Sequence, residues 1–393
     1  MNASGGPSPT RTIIFLALAC FASAVSLRAA DPILPEIARS FGTTPGAAAQ
    51  VVTFFGIAYG VAQFGYGIAG ERFGKLQTMI VATFLSAATA WICALAYSLG
   101  FLIVARIGAG IAAAAIIPLA MAWIGDAVPY ERRQSVLARF LSGQISGLVL
   151  GQLFGGIIAE YLGWRWVFVA IAVLFFLAGS ALTYEFLAGA GRTPAPPPPD
   201  KSAWLRLRSM LRRRWVLTVL IGVFFEAMFF FGAFTFVGSD LWVRFGIGFD
   251  AIGLIVAGFG VGGLLYVAVA SAMLPRLGEG GFVAGGGIVV ALAFGLIAFA
   301  PTAWLVLPAT IVAGFGYYML HNTLQTNATQ MAPEARGIAL GIFASSLFLG
   351  QSVGVAIAAP VFDNTGGKPI FLGAAFLLVI LAFIYRAQAR RHA

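Results

Sequence analysis

Glu226 stands among Phe224, Phe225, Phe229, Phe230 and Phe231, about halfway along an apolar stretch running from 215 to 238. An ionised carboxylate in such surroundings is costly unless a partner faces it, so this residue is suited to taking up and releasing a proton, which is what proton coupling requires. A glutamate that stays protonated and hydrogen-bonds a neighbouring helix fits the same residues. Arg106 poses the matching problem for a cation. Two turns inside the stretch 100–123, it carries a cost of at least about 2.5 kcal/mol on insertion scales and should face the interior of a helix bundle. There it either finds a partner in the bundle or holds backbone carbonyls of a neighbouring helix. Arg28 and Asp31, three residues apart, can pair at the end of the first apolar stretch, where Pro32 and Pro35 kink or end the helix. Tyr317, Tyr318, His321, Asn322, Gln325 and Asn327 make a further stretch polar toward one end. Positions 318, 321, 322 and 325 share a face that could line a cavity or continue a proton path through His321, and a histidine that only holds helices together is the alternative. Glu226, Arg106, Asp31 and His321 are thus the candidates for proton coupling, with Gln63, Gln144, Gln152 and Gln351 as uncharged donors.

The elements that must hold these residues are membrane helices. The composition is 60% hydrophobic and 10% charged, against about 45–50% and 25% for soluble domains. Apolar stretches long enough to cross about 30 Å of hydrocarbon recur at 12–30, 47–68, 77–97, 100–123, 135–159, 165–187, 215–238, 251–273, 282–300, 303–326, 337–361 and 369–386. Twelve spans are therefore expected. The chain also repeats itself. Arg133/Arg336, Leu137/Leu340, Phe140/Phe343, Ser142/Ser345, Gly147/Gly350, Gly151/Gly354, Gly163/Gly366 and Phe168/Phe371 are identical at an offset of 203, and Glu160/Asp363 keeps its charge. Phe41/Phe245, Gly42/Gly246, Ala47/Ala251, Arg72/Arg276 and Gly74/Gly278 recur at 204. The expected fold is an all-α membrane protein of two pseudo-symmetric six-helix bundles, 1–188 and 215–393. Such internal symmetry is the signature of secondary transporters, whose sites lie where the repeats meet. Glu71, Arg106 and Glu226 have no ionisable counterpart across the repeat, which marks them as the places to look for coupling.

The net charge of +10 is a topology signal. With the N-terminus inside, 18 of the 24 basic residues fall in cytoplasmic segments, as the positive-inside rule requires. Both termini are expected in the cytoplasm of an inner (plasma) membrane, and no nucleic-acid partner is implied. The linker 189–214 holds Pro194, the run Pro196–Pro199 and the basic stretch Trp204–Trp215. It reads as a semi-rigid spacer followed by either an interfacial helix or a solvated basic segment. Cys20 and Cys93 lie inside spans, and no HExxH, CxxC pair, nucleophile elbow or phosphate loop stands in a workable context. No enzyme activity, metal or cofactor is expected.

Between the second and third spans the chain reads Gly67, three residues, Glu71, Arg72, Phe73, Gly74, Lys75. This resembles the loop signature of the major facilitator superfamily, with Glu71 in place of the usual Asp. The resemblance implies a conformational latch: Glu71 would face the start of the eleventh span near Gly337 and Lys75 would meet Asp126, contacts that hold the halves together in the outward-facing state and break when the inside opens. Arg106 and Gly110 resemble a second signature of that family, with Ala109 departing from it, and the resemblance implies proton handling for Arg106. Gly147, Gly151, Gln152, Gly155 and Gly156 resemble its antiporter signature, with Gln152 where that signature has Pro. Gly143, Gly147, Gly151 and Gly155 drift only about 40° per step and line one groove for a close-packed helix; Ser346, Gly350, Gly354 and Ala358 repeat the pattern. Taken together, the chain resembles the twelve-span drug and metabolite antiporter branch. That implies alternating access, a proton gradient as driving force and efflux of a small, partly apolar compound. Phe225, Phe229, Tyr266, Tyr317 and Tyr318 are the cavity candidates, and a monomer in the lipid bilayer is expected. Uptake by symport or uniport uses the same fold; a non-transporting sensor would need a signalling domain that the loops do not offer.

Overall fold

The computed structural model describes residues 9–128, 130–190, 208–332 and 336–390, and among these there is no strand. The proline run and residues 204–207 of the basic stretch lie outside the described residues. Eleven continuous helical segments are long and apolar enough to cross a membrane. The segment Phe249–Phe299 is 51 residues long, which at 1.5 Å per residue is about twice the hydrocarbon thickness. It turns at Gly278, whose φ is +62°, so it is two spans and the total is twelve. We number them α1 Arg11–Ser40, α2 Pro45–Gly67, α3 Lys75–Ala94, α4 Leu99–Ala127, α5 Ser142–Leu162, α6 Trp164–Gly189, α7 Arg214–Phe245, α8 249–277, α9 279–299, α10 Ala303–Gln330, α11 Ile338–Thr365 and α12 Gly367–Ala389.

The repeat governs the backbone itself. Gly42/Gly246, Gly74/Gly278 and Gly163/Gly366 are repeat pairs, and all six take a positive φ; only glycine enters that region without strain. The first span is longer than its apolar run suggested. The regular helix ends at Arg28 and the span goes on past a kink, Pro32 and Pro35 each standing in the first turn of a new short helix, Asp31–Ile33 and Leu34–Ser40, where the missing amide costs nothing. In the second half α7 breaks at the matching depth, between Phe234 and Val237.

The glycine stripes of α5 and α11 pack each half in the same way. A Cβ added at Gly147 would lie 2.6 Å from the Phe21 carbonyl and one at Gly151 2.9 Å from Val25, both on α1. At Gly350 and Gly354 it would collide with the carbonyls of Phe224 and Met228 on α7, which are the repeat equivalents of Phe21 and Val25. Gly350→Ala should therefore push α7 and α11 apart, an overpacking cost of about 1–3 kcal/mol, read as a lower melting temperature of the detergent-solubilised protein. Gly373→Ala on α12 meets open space and should leave it unchanged or raise it. Equal melting temperatures in the two variants would count against this packing.

The halves touch along α2 against α11 and α5 against α8. Near the face opposite the termini, Gly46 lies on Asp363, Gly56 on Ser352, and Gly156 on Phe249 and Gly253. At mid-depth Tyr59 packs on Phe348 with ring centroids 4.4 Å apart. Toward the termini, Gly65, Gly67 and Gly341 face open space, and Glu71, Arg72 and Phe73 are exposed. The halves are closed on the distal face and parted on the face that carries the termini.

Candidate functional site

Two charged clusters occupy the middle of the bundle, one in each half. In the second half Glu226 is fully buried, and its Oε2 lies 2.9 Å from Nδ1 of His321 across the α7–α10 contact. The other carboxylate oxygen, Oε1, has no hydrogen-bond partner among the described residues. One turn before His321, Tyr317 stacks flat on the imidazole at 5.0 Å and 10°, and Phe343 covers another side at 5.7 Å. A lone charge is expensive at this depth, so the two side chains are held as a hydrogen-bonded pair that can share one proton between carboxylate and imidazole.

In the first half Arg28 reaches across to the second. It donates from Nη2 to Gln351 Oε1 at 2.9 Å and from Nη1 to Asp31 Oδ2 at 3.2 Å, and it lies 3.9 Å over the ring of Phe231. Phe231 in turn meets Tyr317 edge-on at 5.2 Å. The aromatic contacts thus run without a gap from Arg28 to the histidine that holds Glu226. Asp31 Oδ1 is buried without a partner among the described residues.

Among the described residues Arg106 does not pair with a carboxylate. Its Nε donates to the Val51 carbonyl at 3.3 Å and its Nη2 to the Ser26 carbonyl at 3.3 Å. Phe55 lies 3.9 Å below the guanidinium. The regular ladder of α1 stops with Ala29 N bonded to Val25 O at 2.9 Å, so the Ser26 carbonyl is the first one beyond it. One of these two bonds is repeated. Thr310 Oγ1 donates to the Ile255 carbonyl at 2.6 Å, and residues 310 and 255 are the equivalents of 106 and 51. The bond to α2 is thus shared framework, and the bond to the break in α1 belongs to the first half alone.

The remaining candidates are placed as follows. Tyr317, Tyr318 and Tyr266 form one aromatic group with Phe230, Phe231 and Phe259. Phe225 and Phe229 stand apart from it. They stack on each other at 5.6 Å, and Phe225 is 37% exposed on the flank of α7 between the α11 and α12 contacts. Lys75 is ion-paired with Asp126 on the parted face, so this contact, which ties the loop after α2 to the end of α4 within one half, does not break when that face opens, contrary to what the latch implied; Glu71 is exposed and without an ion-pair partner among the described residues. Gln152 is buried, with Oε1 unpartnered among the described residues.

The sequence reading missed four carboxylate contacts. Glu36 accepts from Trp164 N at 3.1 Å, and Asp240, its equivalent at an offset of 204, accepts from the amide of Gly367. Glu160 accepts from Phe249 N at 2.7 Å, and Asp363 accepts from Gly46 N at 2.8 Å and Thr44 Oγ1 at 2.6 Å. The conserved charge at 160/363 was the available signal. The donors are mainly backbone amides, which leave no trace in side-chain patterns.

Known proteins share this arrangement. A sequence model of the Major Facilitator Superfamily matches residues 16–355, and a second match spans 219–392. The chain is 25% identical over 393 residues to the multidrug efflux protein YfmO of Bacillus subtilis, covering 98% of this chain and 94% of that one. It is 26% identical over 377 residues to a chloramphenicol resistance protein of Streptomyces lividans, at 95% and 94% coverage. Among solved structures, a bacterial homologue of the human lysosomal transporter Spinster, inward-facing and unoccupied, matches with a TM-score of 0.77 at 17% identity over 98% of both chains. A D-xylose–proton symporter matches with 0.73 at 15% identity over 96% and 97%. With twelve spans in two related halves, closed on one face and parted on the other, and a family match that runs through both halves, this chain belongs to the Major Facilitator Superfamily of membrane transporters.

Proposed function

We propose that this protein exports small, partly apolar compounds by alternating access, driven by protons flowing the other way, from an inner membrane with both termini in the cytoplasm. The observation that carries the reading is the buried Glu226–His321 pair, 2.9 Å apart at the centre of a transporter fold. Relatives named for multidrug efflux and chloramphenicol resistance support the direction and the class of cargo. The Tyr317, Tyr318 and Phe231 rings offer apolar, flat contact surface beside Arg28, suited to aromatic or heterocyclic compounds. Domains 1–188 and 215–393 would rock about a centre that holds both charged clusters. The driving force needs no nucleotide or metal.

The deciding experiment is flux in proteoliposomes over a panel of toxic compounds and metabolites, with and without a pH gradient. Accumulation against the compound's own gradient, reversed in sign when the pH gradient is reversed, is the expected result. Accumulation in the same direction as proton flow would favour the second reading, uptake by symport, which Gln152 in the place of the antiporter proline leaves open. The loop 67–75 should set the balance of states. In the present state Lys75–Asp126 holds the loop on α4, and with the cytoplasmic face shut Glu71 would reach the start of α11. Lys75→Gln and Glu71→Gln should each change transport rate by several-fold while leaving substrate affinity within about twofold, because they act on the equilibrium and not on the cavity. Wild-type flux in both variants would remove the latch from the mechanism.

A further inference from the structure

The carboxylates of Glu160 and Asp363 are equivalents across the repeat, and each crosses from one half to the other on the distal face. Glu160, at the end of α5, accepts from Phe249 N at 2.7 Å on α8. Asp363, near the end of α11, accepts from Gly46 N at 2.8 Å and Thr44 Oγ1 at 2.6 Å at the start of α2. The two differ by one residue for a covalent reason. The equivalent of Phe249 is Pro45, which has no amide to give, so Asp363 takes the next amide and the hydroxyl before the proline. The contact has been kept through a change of acid, a change of donor and a shift of register.

A second repeated pair on the same face provides the contrast. Glu36 accepts from Trp164 N and Asp240 from the Gly367 amide, each within its own half. These hold a half together and have no reason to break during transport. The Glu160 and Asp363 contacts join parts that must separate whenever the distal face opens.

We propose that Glu160 and Asp363 form a two-point lock on the distal face, a symmetric pair of charge-assisted bonds whose release is an obligatory step in opening that face. Each carboxylate is stabilised by peptide amides of the opposite half only while the halves meet, so together they bias the protein toward the state seen here. The lock stands on contact geometry alone and is independent of which ion drives transport.

The test is a distance measurement between spin labels at Ser40→Cys and Val243→Cys, on opposite halves at the distal face, in a Cys20→Ser, Cys93→Ser background in lipid nanodiscs. Glu160→Gln and Asp363→Asn should each raise the ratio of long to short distances about tenfold, the effect of one lost charge-assisted bond. Together they should act multiplicatively, since the contacts share no residue. Asp363→Glu, which keeps the charge, should shift the ratio less than Asp363→Asn and shows that the position tolerates substitution. Glu36→Gln should lower the melting temperature and leave the distances alone. The lock is overturned if the Glu160→Gln, Asp363→Asn double variant elutes as a monodisperse protein with the parent's distance distribution. It is equally overturned if Glu36→Gln moves the distances as far, because general loosening would then explain the shift.

Discussion

Glu226→Gln should abolish gradient-driven accumulation and leave substrate exchange nearly intact. A one-unit pH gradient is worth about 1.4 kcal/mol per proton, a tenfold concentration ratio for one-for-one exchange. In the variant that ratio should fall to about one. Glutamine fills the same space and can still hydrogen-bond Nδ1 of His321, so packing among Phe230, Tyr317 and Phe343 survives. What glutamine cannot do is change charge. Exchange of labelled for unlabelled substrate at equal pH needs only alternation and should stay within a few-fold of wild type. His321→Gln should behave alike, because it removes the side chain with which Glu226 can share a proton. Undiminished uphill transport in Glu226→Gln would exclude this pair from coupling, and loss of exchange as well would move its role from coupling to structure.

The twelve spans were legible because a chain in lipid has few solutions: each crossing must be a helix of sufficient apolar length. The repeat was legible too, and the six paired positive-φ glycines show why it survives, since each marks a turn that only glycine makes without strain. Glu226 and His321 were each legible as misfits in apolar surroundings. Their pairing was not, because 95 residues separate them and a contact between distant spans has no linear signal. Gln351 shows the same limit: it was visible as a polar residue in a span, yet its bond to Arg28 crosses 323 positions. The charge asymmetry between the halves was half of the picture. Glu71, Arg106 and Glu226 do stand alone across the repeat, but the distal carboxylates Glu36/Asp240 and Glu160/Asp363 are duplicated with their contacts. Among these carboxylates, the unmatched Glu226 lies in the centre and the unmatched Glu71 at the latch, while the matched pairs lie on the distal face.

Arg106→Thr should cost transport far more than stability, and the repeat explains why threonine is the informative choice. Thr310 already makes the equivalent bond to Ile255 with a hydroxyl, so a threonine at 106 can keep the Val51 contact. Lost are the bond to the Ser26 carbonyl, about 1–3 kcal/mol for an unsatisfied buried acceptor, and the stacking on Phe55, about 2 kcal/mol when desolvated. Against this stands the guanidinium's own burial cost of at least about 2.5 kcal/mol, which disappears with it. The net is about 1–2 kcal/mol, a fall of a few degrees in melting temperature. The Ser26 bond, however, holds the first carbonyl beyond the regular ladder, at the break that follows Arg28, and Arg28 carries Asp31, Gln351 and Phe231. Releasing that break should loosen the Arg28 contact between the halves at mid-depth and lower transport by about tenfold or more, at the upper end of what a remote positioning change does. Arg106→Lys should be nearly as poor, since a single ammonium cannot serve two carbonyls and lie flat on Phe55. Near-normal transport in Arg106→Thr would show that the framework bond shared with Thr310 is all this arginine provides; normal transport in Arg106→Lys with loss in Arg106→Thr would instead make its charge, and not its two bonds, the working part.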